Sequence, residues 1–345
     1  MKSQDATIVS VSQKVGVSVS TVSRVLNGKS EQYRISKSTQ KLILDAAAEL
    51  NYSPNLLARG LRLNKTNTIG YIIPDIANPF FSRIADNVEK HARKKGYSVV
   101  ICNSEEETNA EKILVKTLAE RKIDGVIISP VGQEIQHILE LKERNIPIIL
   151  IDRYFPGKEI PFVTSDNYKG AFTAVKYLIE NGHTKIACIQ GLEDTQPVFE
   201  RVRGYKDALK EFKLEVDEDL IVGDSFSEEN GYIETKLLLK NNKKPTAIFG
   251  LSNLISFGAM RALREEGLNI PDDMSLITFD DLPYLDYLST PMTAVQQQGS
   301  EIGNIATKML IDQIESGRNF EQEGIFLPTK LIIRSSVKKM TAGKE

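Results

Sequence analysis

The chain has no tryptophan, two cysteines and three histidines in 345 residues. The histidines, at 91, 137 and 183, are far apart, so no Cys/His group has metal-ligand spacing. Cys102 and Cys188 each sit in an apolar, strand-like run and read as reduced core residues, not as a disulfide framework. Long hydrophobic stretches are missing as well. The longest runs, such as Ile146 to Ile151, span six residues, whereas a membrane-spanning helix needs about twenty. The first seven residues open no signal-peptide core, so a cytoplasmic protein without a membrane partner is expected. There is no phosphate-binding P-loop, no G-x-G-x-x-G after a strand and no serine nucleophile elbow. Asp280 and Asp281 are paired carboxylates, but neighbours in an extended segment point to opposite sides. No catalytic residue, cofactor or metal is assigned, and an enzyme is not expected.

What is present is a strong asymmetry of charge. Residues 1–66 hold ten Lys and Arg against four Asp and Glu, a net +6; the rest hold 34 against 42, a net −8. A small basic head on an acidic body fits either a polyanion-binding domain or a basic arm with no partner. Overall, 41% hydrophobic and 26% charged residues are enough for a folded core without cross-links.

Within the head, Ile8, Val11 and Val15, then Val17, Val22, Val25 and Leu26, mark two short helices. Gly16 lies between them, where a tight turn needs a residue tolerant of positive φ. Ser18 can cap the second helix. A third helix is expected from about 36 to 50, with Leu42, Ile43, Ala46, Ala47 and Leu50 on one face. The second helix exposes Val19, Ser20, Thr21, Ser23 and Arg24. Small side chains let a helix enter the major groove, and arginine forks onto a guanine edge. Residues 53–62 begin with the cap Ser53 and with Pro54 at the first helical position. Leu57 and Leu61 share a face with Arg59 and Arg62 nearby. A helix this short is marginal in water and needs something to fold against. A second copy in a DNA minor groove and the protein's own body would both serve.

The runs Val17-Ser18-Val19-Ser20-Thr21-Val22-Ser23-Arg24-Val25-Leu26-Asn27-Gly28, Tyr52-Ser53-Pro54-Asn55, Ala58-Arg59-Gly60-Leu61 and Thr66-Asn67-Thr68-Ile69-Gly70 resemble the lactose/galactose repressor (LacI/GalR) family of bacterial transcription regulators. The resemblance spans essentially the whole chain. It implies base-reading positions at Val19, Ser20 and Arg24, and backbone contacts from Thr21 and Asn27 beside Ser18. It also implies a leucine wedge at Leu61, with Asn55, Ala58 and Arg62 along the minor groove. Two residues depart from the family pattern. Ser12 replaces the usual alanine where the first two helices cross, and the stretch Lys29 to Ile35, with Glu31-Gln32-Tyr33-Arg34, is longer than the common loop.

From Ile69 onward, short apolar runs alternate with amphipathic helices. The strands read as 69–73, 98–102, 125–129, 146–151, 185–190, 220–222, 246–250 and 275–279. The helices read as 79–94, 110–121, 135–144, 168–181, 200–212, 228–240 and 253–266. Alternation implies parallel sheets with covered faces, and the two series read as a duplication: two α/β lobes with a cleft between them. The expected fold class is α/β: a three-helix helix-turn-helix domain plus hinge helix, then a two-lobed body, which the resemblance implies to be like the periplasmic binding proteins. The expected domains are a head at 1–52, a hinge at 53–66, a body at 67–335 and a polar tail at 336–345. The first lobe takes 67–164 and 281–295, the second 165–280 and 296–335. The same resemblance implies that the chain crosses between lobes near 152–166, 280–295 and 327–334.

Ligands of such sheets lie beyond the carboxyl ends of the strands. Polar and aromatic residues there include Asp75, Asn78, Phe80, Ser129, Asp152, Arg153, Asp166, Asn167, Arg201, Phe226, Asn253 and Asp280. Carboxylates, amides and arginine can hold sugar hydroxyls or a carboxylate, while rings stack on a sugar's C–H face. Helix capping and core packing explain any one of them equally well. The resemblance singles out Arg201 and Asp280, then Asp75, Phe80, Asp152, Phe226 and Asn253. Ser252-Asn253 departs from the Asn-Asp of most relatives. Arg153 would suit a sugar acid or sugar phosphate, or would close a salt bridge.

The expectation is a homodimeric, ligand-controlled DNA-binding regulator, a repressor of carbohydrate uptake or catabolism genes. Its partners would be a near-palindromic operator duplex and a sugar, sugar acid or sugar phosphate acting as inducer or corepressor. A phosphocarrier corepressor occurs in some relatives, but nothing in this sequence shows one. A solute receptor and an enzyme with a Rossmann-like domain are the competing classes.

Overall fold

The computed structural model describes residues 6–52, 65–132, 134–241, 244–317 and 324–340. The expected hinge residues Asn55, Ala58, Leu61 and Arg62 lie outside the described residues. The chain divides into two compact units, 1–66 and 67–345.

In the first unit, α1 (Ile8–Val15), α2 (Val19–Leu26) and α3 (Lys37–Glu49) enclose a small core of Val11, Val22, Val25, Ile43, Ala46 and Ala47. Gly16 stops α1 at φ 74°, donating its N–H to the Ser12 carbonyl. The Ser12 hydroxyl donates to the Val17 carbonyl at 2.5 Å, so the serine closes the turn as well as fitting the crossing. Ser18 and Ser36 cap α2 and α3 by accepting from the Thr21 and Thr39 amides. Leu42 corrects the expected stripe: it is 59% exposed, because the buried face of α3 runs through Ile43, Ala46 and Ala47.

Among its described residues the second unit holds two six-stranded sheets. The first consists of β1 (Thr68–Ile73), β2 (Ser98–Asn103), β3 (Gly125–Ile128), β4 (Ile148–Ile151), β5 (Phe162–Ser165) and β11 (Gly324–Leu327), in the order β11-β5-β4-β3-β1-β2. The second consists of β6 (Ile186–Ile189), β7 (Ile221–Val222), β8 (Ala247–Gly250), β9 (Ser275–Phe279), β10 (Thr293–Gln296) and β12 (Lys330–Ile332), in the order β12-β10-β9-β8-β6-β7. The two orders are the same, strand for strand. Among the described residues only the β10–β12 pairing is antiparallel. Strand residues alternate between faces, as a buried parallel sheet requires. Ile69, Tyr71 and Ile73 face α4 (Pro79–Lys94) and α11 (Gly299–Ser316), whereas Ile72 faces α5 (Thr108–Glu120) and α6 (Gln136–Glu143). In the second sheet α7 (Asn167–Glu180) and α8 (Gln196–Glu211) cover one face, and α9 (Glu228–Lys240) with α10 (Asn253–Glu265) the other. Gly231 and Gly258 allow α9 and α10 to cross backbone to backbone: a Cβ on either would strike the carbonyl of Ile255 or Glu228.

This pairing corrects the expected lobe boundaries. Residues 293–296 pair with β9 and belong to the second lobe, not the first. Residues 299–316 and 324–327 pack in the first lobe, not the second. The first crossing falls after Ser165, within the expected 152–166. The second lies at 297–298, beyond the expected 280–295, and the third at 328–329, within 327–334. The expected polar tail is also built in as far as Met340. Ser336 is fully buried and bonds to Leu276 and Thr293, and the Met340 amide donates to Asn181.

Candidate functional site

Each sheet reverses its winding between its first and third strands, β1/β3 and β6/β8. Loops diverge there, leaving a crevice beyond the strand ends. Two carboxylates occupy equivalent places in it. Asp152 follows β4 and Asp280 follows β9, each the fourth strand of its lobe. Both have left-handed backbones, φ 60° and 77°, and both donate their amide to a neighbouring strand, at Val163 and Val295. Non-glycine residues adopt this conformation at a cost and are held in it by their surroundings. Both are buried, at 5% and 6% exposure.

Around them the side chains interlock. Asp280 accepts from the Gln297 amide through Oδ1 at 2.5 Å and from the Asn253 amide through Oδ2 at 3.1 Å. The Asn253 amide also reaches across to Oδ1 of Asn78, the cap of α4 in the other lobe, at 3.2 Å. Arg201, buried on α8, donates from Nε to Asn167 at 2.8 Å and from Nη1 to the Leu251 carbonyl at 2.5 Å. Its guanidinium lies 3.7 Å above the Phe279 ring. Arg153 forks onto both oxygens of Glu106, each at 2.7 Å, and lies 5.4 Å above the Phe226 ring, which packs flat on Gly191. Phe80, buried at the start of α4, meets Phe81 edge-on.

Burial pushes the Asp152 carboxyl up to about 6; Arg201 and Arg153 offset part of this, while Asp280 and Glu106 add to it. Burial also pulls the Arg201 guanidinium down, against the support of Asp280 and Asp152. For Arg153, burial is outweighed by Glu106, and its value rises. Several buried polar atoms of the crevice have no partner among the described residues: Ser129 Oγ, Asp152 Oδ1, Arg153 Nε, Asn253 Oδ1 and Gln297 Oε1. Leaving a buried polar atom unbonded costs about 1–3 kcal/mol. A hydroxyl group both donates and accepts, so it can satisfy either kind of partnerless atom.

The structure therefore brings Asp152, Arg153, Arg201, Phe226, Asn253 and Asp280 into one network, with Ser129 and Phe80 at the same strand ends. Asp75 stands apart: it is half-buried, and its carboxylate turns back onto the Ala77 amide at 2.8 Å. Asn78 and Asn167 sat among the strand-end residues without a role. Glu106 and Gln297 were missed. Gln297 lies in the second crossing, which sequence reasoning misplaced. Glu106 follows β2 in a run of three glutamates, where only the position of Arg153 singles one out.

In the head, Val19 and Ser20 stand exposed on the first turn of α2 and Arg24 on its last, while Thr21 is half-buried. Ser18 Oγ lies within hydrogen-bond reach of both the Ser20 and Thr21 hydroxyls. Asn27 caps the end of α2, its amide donating to the Ser23 carbonyl. Among the described residues no three His, Cys, Asp or Glu side chains group to hold a metal ion, and no helix is long and apolar enough to cross a membrane.

Comparison with known proteins agrees with both halves. A family model described as bacterial regulatory proteins, lacI family, matches residues 7–55. A second, described as periplasmic binding proteins and sugar binding domain of LacI family, matches residues 66–334. The chain is 36% identical over 332 residues to the ribose operon repressor of Halalkalibacterium halodurans, covering 96% of this chain and 97% of that one. It is 32% identical over 337 residues to the transcriptional repressor PurR of Vibrio atlanticus, covering 97% and 99%. A LacI family regulator from Enterococcus faecium with bound ribose superposes with a TM-score of 0.72 at 29% identity, over 79% of this chain and all of that one. Head and body together make the chain a member of the LacI family, a DNA-binding transcription regulator and not an enzyme.

Proposed function

We propose that the protein is a ribose-responsive repressor that acts in the cytoplasm as a homodimer on a near-palindromic operator. Ser18, Val19, Ser20, Thr21, Arg24 and Asn27 form the groove-facing edge of the recognition helix. In each subunit Leu61, with Asn55, Ala58 and Arg62, enters the minor groove at the operator centre, where an apolar wedge unstacks a base step and bends the duplex. A sugar between the lobes favours one lobe angle, and that preference biases whether the hinge segments pair on DNA. A few kcal/mol of differential affinity is enough.

The observation that carries the choice of effector is the pairing of Arg153 with Glu106. The arginine that would invite an acid or a phosphate is already neutralised in a bidentate bond. The crevice holds two guanidinium groups, Arg153 and Arg201, against three carboxylates, Asp152, Asp280 and Glu106. A further anion is disfavoured there, and a neutral polyol supplies hydroxyls to the partnerless atoms. The ribose of two relatives' names supports the same class. A thermal-shift panel tests it: D-ribose is expected to raise Tm and ribose 5-phosphate and gluconate to leave it unchanged. Stabilisation by the phosphate alone would sink the neutral-sugar reading. Arg201→Ala is expected to remove the ribose response and spare DNA binding.

A further inference from the structure

Tyr33 belongs to the stretch that lengthens the connection between α2 and α3. Its ring centroid lies 4.0 Å from the Arg24 Cζ. Tyr33 is 45% exposed, so the core is not what holds it. The loop itself is fixed. Lys29 donates its amide to Arg24, Tyr33 to Lys29, Arg34 to Glu31, and Ile35 to Ser30, at 2.9–3.2 Å. Ser30 is buried and Ile35 packs on the head core. The tyrosine is thus delivered against one exposed arginine by a loop held by these four backbone bonds.

A guanidinium stacked on a ring uses its flat faces, and its in-plane N–H groups stay free. Those are the groups that fork onto guanine O6 and N7. Holding a long side chain in place before binding reduces the freedom it loses on binding. We propose that Tyr33 is a positioning residue for base recognition, holding Arg24 extended for a guanine. This rests on reading α2 as the recognition helix.

The test uses the full-length protein and a duplex enriched by it from a random pool. The guanine read by Arg24 is the base whose replacement ceases to matter in Arg24→Ala. Affinities are measured by fluorescence anisotropy on the enriched duplex and on one with that base changed in both halves. A cation–π contact at an exposed site contributes a few-fold per head, so roughly tenfold across two heads. Tyr33→Ala is expected to lose about that on the enriched duplex and little on the altered one. It is expected to lose nothing further in the Arg24→Ala background, and Tyr33→Phe is expected to bind as the wild type does. Equal losses on both duplexes, no loss, or a Tyr33→Phe defect matching that of alanine would each overturn the proposal. If the wild type enriches no sequence, the recognition-helix reading falls first and the proposal with it.

Discussion

Asn253 donates its amide both to Asp280, 3.1 Å away in its own lobe, and to Asn78, 3.2 Å away in the other. One side chain thus orients a site carboxylate and bridges the cleft. Hydrogen bonds to charged groups contribute about 1.5–3 kcal/mol. Asn253→Ala should therefore weaken ribose binding roughly 10- to 100-fold by calorimetry. Unchanged affinity would remove Asn253 from the site.

Glu106 determines what Arg153 can do. Glu106→Gln removes one carboxylate and frees the guanidinium that lies over Phe226. The substitution is expected to weaken ribose about tenfold and to admit ribose 5-phosphate, since an unpaired buried charge seeks a counter-ion. Paired calorimetric titrations check this, and an unaltered preference would mean that the ion pair does not set selectivity.

Asp152 gives the site a pH dependence. Its carboxyl is raised from 3.8 to about 6, burial being the main cause. Raised in the fold, the group contributes stability that is complete below about 3.8 and is lost as pH rises through about 6. Ribose binding runs the other way, because the ionised carboxylate accepts hydroxyl hydrogens. Affinity should be roughly tenfold weaker at pH 5 than at pH 7.5, and flat in Asp152→Asn. A flat wild-type profile, or the same slope in the variant, would exclude this titration.

Much of this was legible locally. Gly16 and Ser18 marked the turn and cap of the head, and Pro79–Lys94, Glu228–Lys240 and Ser275–Phe279 have the bounds that apolar periodicity implies. Strand ends pointed to Asp152, Asn253 and Asp280, each of which is buried just beyond a strand, whereas Arg201, singled out by the family resemblance, lies inside α8. What could not be read was which sheet a strand joins. Residues 293–296 are an ordinary short strand, and their place beside β9 is decided by side chains far away in sequence. Gln297 was lost for the same reason. Glu106 and Arg153, 47 residues apart, are linked by a tertiary contact that no local spacing encodes. Ser336 looked like a polar tail because its hydroxyl and backbone are satisfied only by the distant strands of the second lobe.

The coupling of cleft to operator is tested most directly by titrating the enriched duplex with the full-length protein, with and without saturating D-ribose, at constant salt. A change in duplex affinity of about tenfold or more is expected, equivalent to about 1.4 kcal/mol of coupling. Its sign separates inducer from corepressor. Identical curves with ribose bound, as verified by calorimetry in the same buffer, would contradict control of DNA binding by this sugar.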